Sequence, residues 1–137
     1  MKLITFLLFS LIVSSCFALD KYSDSTFQLG VDLANDKNAL VVFTAGPFCG
    51  ICVKMDKEVW LNEKILNGTD FLDVSRYYFD VTGNNSNGIR DIMDKLGINN
   101  SAFPTWVLVK EGLQEHKSGW TNVDGVIQSM KDLFLND

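Results

Sequence analysis

Histidine, proline and cysteine are scarce in this 137-residue chain, which holds one His, two Pro and three Cys. A tetrahedral structural zinc site needs four nitrogen or sulfur ligands, and this supply makes one hard to build. A copper site lacks a supporting Met or His cluster. Basic residues are also few, 12 Lys and Arg against 17 Asp and Glu, for a net charge of −5. No basic patch stands out, which argues against nucleic acid as a partner. There is no internal repeat and no low-complexity tract.

The one long apolar stretch lies at the start. Met1-Lys2 is followed by Leu3 to Val13, apolar apart from Thr5 and Ser10. That is the length of a signal-peptide core and short for a bilayer span. Cys16-Phe17-Ala18 places small residues at the −3 and −1 positions of a cleavage site. The expectation is a signal peptide over 1–18 and a mature domain over 19–137. Val13-Ser14-Ser15-Cys16 also resembles a relaxed bacterial lipobox, in which a lipidated Cys16 would become the first residue. Few charges flank the apolar core, which disfavours an uncleaved anchor. Either route places the chain in the periplasm or outside the cell, where disulfides persist.

Once the leader is removed, Cys49 and Cys52 are the only cysteines, within Gly46-Pro47-Phe48-Cys49-Gly50-Ile51-Cys52. Cysteines at i and i+3 on the first turn of a helix share a face and can reach disulfide geometry. The first would sit at the helix N-terminus, where unpaired N–H groups and the helix dipole stabilise a thiolate. Lowering a thiol pKa from about 8.5 to about 7 is worth roughly 2 kcal/mol of preference for the anion. The loop between the pair is too small to staple a domain, so a purely structural disulfide is a poor explanation. His116, the one His, is distant in sequence, so a zinc reading of the pair is weak. The spacing favours dithiol redox chemistry.

The rest of the chain fits one domain with its own core. Asp24 to Asp36 reads as a helix and Ala39 to Phe43 as a strand buried on both faces. Gly46-Pro47 breaks that strand. A helix runs from Cys49 to about Trp60, and Phe71 to Val81 reads as a strand. Ser86 caps a helix that ends at Gly97, carrying Ile89, Ile92, Met93 and Leu96 on one face. Phe103-Pro104 precedes a strand over 105–109, Glu111-Gly112 turns it into a second strand over 113–119, and Thr121-Asn122-Val123-Asp124 has the form of a capping box for the last helix. The order α-β-α-β-α-β-β-α predicts a mixed α/β sheet covered by helices on both sides. Trp60, Trp106 and Trp120 are expected to be core or semi-buried aromatics, and His116 an exposed hairpin residue.

A strand, a C-x-x-C opening a helix, and a lone Pro starting a later strand resemble the thioredoxin arrangement. The run Cys49 to Trp60, then Phe79-Asp80-Val81-Thr82-Gly83-Asn84-Asn85, then Phe103-Pro104-Thr105, is similar to the C-terminal periplasmic domain of the DsbD family of thiol:disulfide interchange proteins. The likeness extends from about Thr26 to Phe134. It implies a thioredoxin fold with a mixed sheet of four strands, or five. It implies an enzyme with no cofactor, in which Cys49 attacks and Cys52 resolves the mixed disulfide. Pro104 would be a cis-proline beside the sulfurs, with Phe48, Phe103 and Pro104 meeting the substrate. Asp56 matches an acidic residue of that domain that tunes the cysteines.

Three departures qualify the likeness. The membrane domains of the family have no counterpart here, so the expectation is a free-standing module, a monomer, fed by a membrane-bound electron donor and acting on protein disulfides or dithiols. Val42 stands where thioredoxins carry a buried Asp. Phe48 replaces the usual Trp, and Phe103 is bulky for its position. Asp56, one turn after Cys52, could fill the vacancy at Val42 by accepting the resolving thiol's proton; the competing reading is a solvated surface Asp. The spacer Gly50-Ile51 has no group that would further stabilise the thiolate, which leans the pair towards reduction. The alternative from another class is a non-catalytic, redox-sensitive or metal-carrying binding module on the same scaffold.

Overall fold

The computed structural model describes residues 20–99 and 102–136. The expected signal peptide, the Cys16 lipidation site and the Leu19 start lie outside these residues. In chain order the described residues form α1 (Thr26–Ala34), β1 (Ala39–Thr44), α2 (Gly50–Met55), α3 (Glu63–Phe71), β2 (Ser75–Asp80), α4 (Ser86–Lys95), β3 (Thr105–Lys110), β4 (Leu113–Ser118) and α5 (Val123–Phe134). A 3-10 turn, Gly46–Phe48, precedes α2, and a π-helical turn, Asp56–Trp60, follows it.

β1 is buried along its whole length, as its unbroken apolar run requires. It pairs in parallel with β2 and antiparallel with β3, and β4 closes the other edge antiparallel to β3. The strand order is β2-β1-β3-β4. The fifth strand allowed by the sequence shrinks to one parallel bridge between Ser23 and Tyr77. There the Ser23 N–H donates to Arg76 O and the Tyr78 N–H to Ser23 O, both at 2.9 Å.

Alternate side chains of β1 feed two cores. Ala39, Val41 and Phe43 meet Leu29 of α1 and Ile89, Ile92 and Met93 of α4. Leu40 and Val42 meet Met55, Trp60, Ile65, Val126 and Met130 from the opposite layer. Trp60 and Trp106 pack edge to face in that second core, their rings 5.8 Å apart. Burying a side chain the size of Val42 stabilises the fold by about 1.5–3 kcal/mol, so the apolar residue in place of an Asp is a structural gain.

Several boundaries differ from the sequence reading. Phe71 ends a helix and β2 begins only at Ser75. The loop composition of Asn67-Gly68-Thr69-Asp70 hides α3 in the sequence. Gly68 is in that helix because it passes close to α5: a Cβ there would lie 3.4 Å from the Ile127 Cδ1 and 3.5 Å from the Met130 Cε. Thr69 turns its hydroxyl back to the Ile65 carbonyl at 2.9 Å. Ser86 is the first residue of α4 and not its cap; Asn85 holds the cap position without a side-chain bond. At α5 the cap is Asn122, one residue later than the expected box, accepting the Gly125 N–H at 2.8 Å. Trp120 lies outside the core, 47% exposed.

Gly46 bends the chain from β1 towards α2 at φ +69°, and a Cβ there would sit 2.6 Å from the Thr82 Oγ1 and 3.1 Å from the Asp80 Oδ2. Both the backbone conformation and the space require glycine. Gly46→Ala should therefore lower stability by about 1–2 kcal/mol or more, read as a lower midpoint in thermal or urea unfolding. An unchanged midpoint would contradict this account of the turn.

Candidate active site

The site sits where β1 ends and β3 begins, at the same end of the sheet because the two strands are antiparallel. Cys49 occupies the N-cap position of α2, with extended backbone at φ −100° and ψ 101°. The Cys52 N–H donates to the Cys49 Sγ at 3.2 Å. The helix thus uses the cysteine sulfur where Ser or Asp would normally cap. Cys49 and Cys52 are joined as a disulfide with Cα atoms 5.2 Å apart. Their environments differ: Cys49 is half-buried at the rim, whereas Cys52 is 1% exposed.

The Phe103–Pro104 peptide is cis. The Cys49 Sγ lies 3.8 Å from the Phe103 carbonyl oxygen, within reach of an S–H donor once the pair is reduced. Pro104 is buried and Phe103 half-buried against the first core. The Pro104 carbonyl accepts the Gly119 N–H at 2.9 Å, and the Thr105 hydroxyl donates to the Ala102 carbonyl at 2.6 Å. These bonds tie the loop before β3 to the sheet. Beside Phe103 an open cleft of about 480 Å³ is lined by Val81, Met93 and Ile98, with Arg90 and Asp94 in its wall. Phe48 stands out from the rim, 93% exposed. Cys49, Cys52, Phe103 and Pro104 therefore meet in one place, with Phe48 beside them.

Asp56 follows Cys52 by one helical turn, its N–H donating to the Cys52 carbonyl. Its Oδ2 accepts the Tyr78 hydroxyl at 2.7 Å, and its Oδ1 is buried with no hydrogen-bond partner. The carboxyl pKa is raised, chiefly by burial, with the Tyr78 hydrogen bond opposing and the nearby Asp80 charge adding. Tyr78 is itself held protonated, first by burial and then by its bond to Asp56 and that carboxylate's charge. Asp56 is therefore not a solvated surface residue.

The sequence reading passed over three groups that shape this site. Tyr78 looked like an ordinary β-former. Asp80 and Thr82 lie in the quoted Asp80-Val81-Thr82 stretch, but nothing in their spacing tells what they hold. Asp80 Oδ1 accepts from the Thr82 N–H at 2.9 Å and its hydroxyl at 2.6 Å, and both side chains fill the space beside Gly46. His116 sits exposed on β4 with its ring 2.9 Å from the Gln114 amide oxygen, away from the cysteines.

Because the folded protein raises the Asp56 pKa, it binds that proton more tightly than the unfolded chain does. The destabilisation is absent below the ordinary carboxylate pKa of about 4 and grows as pH rises through the folded value. Asp56→Asn should melt higher than the parent at pH 7, with the gain vanishing near pH ~3. An equal or lower melting point at neutral pH would contradict this.

No protein-family model and no curated protein sequence matches the chain. Solved structures do. Thioredoxin O2 from Arabidopsis thaliana in its oxidized state is 23% identical, with 82% of this chain and 92% of that one covered at a TM-score of 0.59. A DsbH oxidoreductase is 12% identical over 85% of each chain, at a TM-score of 0.61. Thioredoxin from Trypanosoma brucei brucei is 18% identical, covering 84% and 92%, at a TM-score of 0.55. With its four-stranded mixed sheet, its helices on both faces and a Cys49–Cys52 disulfide at the start of α2, the chain has the thioredoxin fold of these oxidoreductases.

Proposed function

We propose that this chain is an exported thiol:disulfide oxidoreductase that reduces disulfide bonds in protein substrates, working like the DsbD C-terminal domain its motifs resemble. The observation that carries the reading is the asymmetry of the pair: Cys49 at the rim, receiving the Cys52 N–H, and Cys52 buried behind it. A rim sulfur at a helix start can reach a bulky disulfide, and a buried partner reacts only with the sulfur beside it.

The cycle follows from that placement. The Cys49 thiolate attacks one sulfur of the substrate disulfide. That bond breaks, one substrate sulfur leaves as a thiolate and takes a proton from water, and the other is joined to Cys49. Cys52 gives up its proton, its thiolate attacks the Cys49 sulfur, and the second substrate sulfur leaves as a thiolate. The substrate gains two electrons and the Cys49–Cys52 disulfide forms. A membrane-bound dithiol donor, reached in the periplasm or at the cell surface, returns the two electrons. The extended substrate segment lies along the Phe103–Pro104 backbone, with Phe48 and the cleft beside Phe103 taking its side chains. The Gly50-Ile51 spacer adds no positive charge to favour the thiolate further, which supports reduction over oxidation.

Cys52→Ser should retain a covalent disulfide-linked complex with a disulfide-containing substrate on a non-reducing gel, and Cys49→Ser should form none. Only the parent should turn over insulin with a dithiol donor. The reduction potential should fall nearer the thioredoxin value of about −270 mV than the DsbA value of about −120 mV. Trapping by Cys49→Ser as strong as by Cys52→Ser would contradict the assignment of roles, and a potential near that of DsbA would contradict the direction.

A further inference from the structure

Resting on that redox reading, we propose that Tyr78 is a positioning residue for the resolving step: its hydroxyl holds the Asp56 carboxylate by Oδ2, leaving Oδ1 as the one acceptor for the Cys52 proton. Three observations carry this. The Tyr78 hydroxyl donates to Asp56 Oδ2 at 2.7 Å, from a different element than the one bearing the carboxylate. Asp56 Oδ1 is buried and has no partner of its own. β1, which could have offered an acid behind Cys52, offers Val42, fully buried among Met55 and Trp60.

A carboxylate on a helix surface can rotate, and either oxygen can then meet any donor. Here the 2.7 Å bond from β2 fixes one oxygen and with it the plane of the group. The other oxygen stays desolvated, and a buried acceptor without a donor gains most from capturing a proton. Once Cys49 is engaged in a mixed disulfide, Cys52 is a free thiol one turn before Asp56. The proton passes from Cys52 Sγ to Asp56 Oδ1, and the Cys52 thiolate displaces the substrate sulfur from Cys49. The substrate thiolate takes a proton from water, and Asp56 later releases its own to water. The groups that act on Asp56 are Tyr78 and Asp80 from β2, and Tyr22 from the segment before α1 feels its charge; Cys52 lies one turn before it on the same helix. Arg76 stands over the Tyr22 ring, 5.8 Å from its centroid. Removing the Tyr78 hydroxyl takes away a donor that favours the carboxylate and leaves burial and the Asp80 charge, which both disfavour it.

The reduced protein, mixed with one equivalent of an aryl disulfide that releases a coloured thiolate, separates the two steps. The first release reports attack by Cys49, and the second reports resolution by Cys52. Tyr78→Phe should leave the first phase unchanged and move the pH midpoint of the second upward, slowing it below the midpoint about tenfold for each unit moved. In an Asp56→Asn background Tyr78→Phe should have no further effect. A second-phase profile that Tyr78→Phe does not move, or a slowing of the same size with and without Asp56, would overturn the role. Absence of the first phase in the parent protein would instead remove the redox pair and the Tyr78 role with it. Should Tyr78→Phe not fold, carbon NMR of the parent protein decides: the Tyr78 Cζ and Asp56 Cγ resonances should titrate together, and independent titration would overturn the coupling.

Discussion

The N–H of Cys52 points at the sulfur of Cys49, and the chemistry of the site depends on that direction. A helix start leaves several amide protons without intrahelical partners, and a sulfur placed among them holds negative charge more readily than one in water. The turn before the helix and the loop before β3 hold that sulfur in place. The Gly46 turn delivers Cys49 to the cap, Asp80 and Thr82 fill the space beside the turn, and the Phe103–Pro104 loop stands on the open side.

The two faces of the sheet divide the work. The core under α1 and α4 is a packed, mostly apolar layer in which the Tyr77 hydroxyl donates to buried Asp32; it reaches Phe103 and Val81 and so supports the cleft beside Phe103. The other core carries α2 and brings a polar pair to the site: Asp56 and Tyr78 lie next to Met55, Trp60 and Val42. A half-buried carboxyl is held in that setting by the one donor its Oδ2 has, and the unpartnered Oδ1 is the cost it carries. With the acid on the helix, β1 stays apolar from Ala39 to Phe43, and the strand β2 supplies the hydroxyl that anchors the carboxylate.

What the sequence made legible is what has a period or a fixed spacing. The apolar run of β1, the i and i+3 cysteines and the stripe Ile89, Ile92, Met93 each reflect a local geometry that residues only a few positions apart must satisfy. α3 escaped because Gly68 and Thr69 are set by contact with α5 and by a local side-chain bond, and loop composition masks both. Tyr78 escaped for a similar reason. Its partner is 22 residues away in sequence, and strand propensity alone accounts for a tyrosine there. The spacing of Asp56 to Cys52 points to it, but its desolvation and its orphaned oxygen are tertiary facts.

The central claim, that the backbone around Cys49 keeps its sulfur ionised near neutrality, is tested most directly by alkylating the reduced Cys52→Ser protein across pH and following loss of the single thiol. The rate should rise with a midpoint clearly below that of an ordinary thiol, which is about 8.5. A midpoint at or above that of a free cysteine would contradict the account.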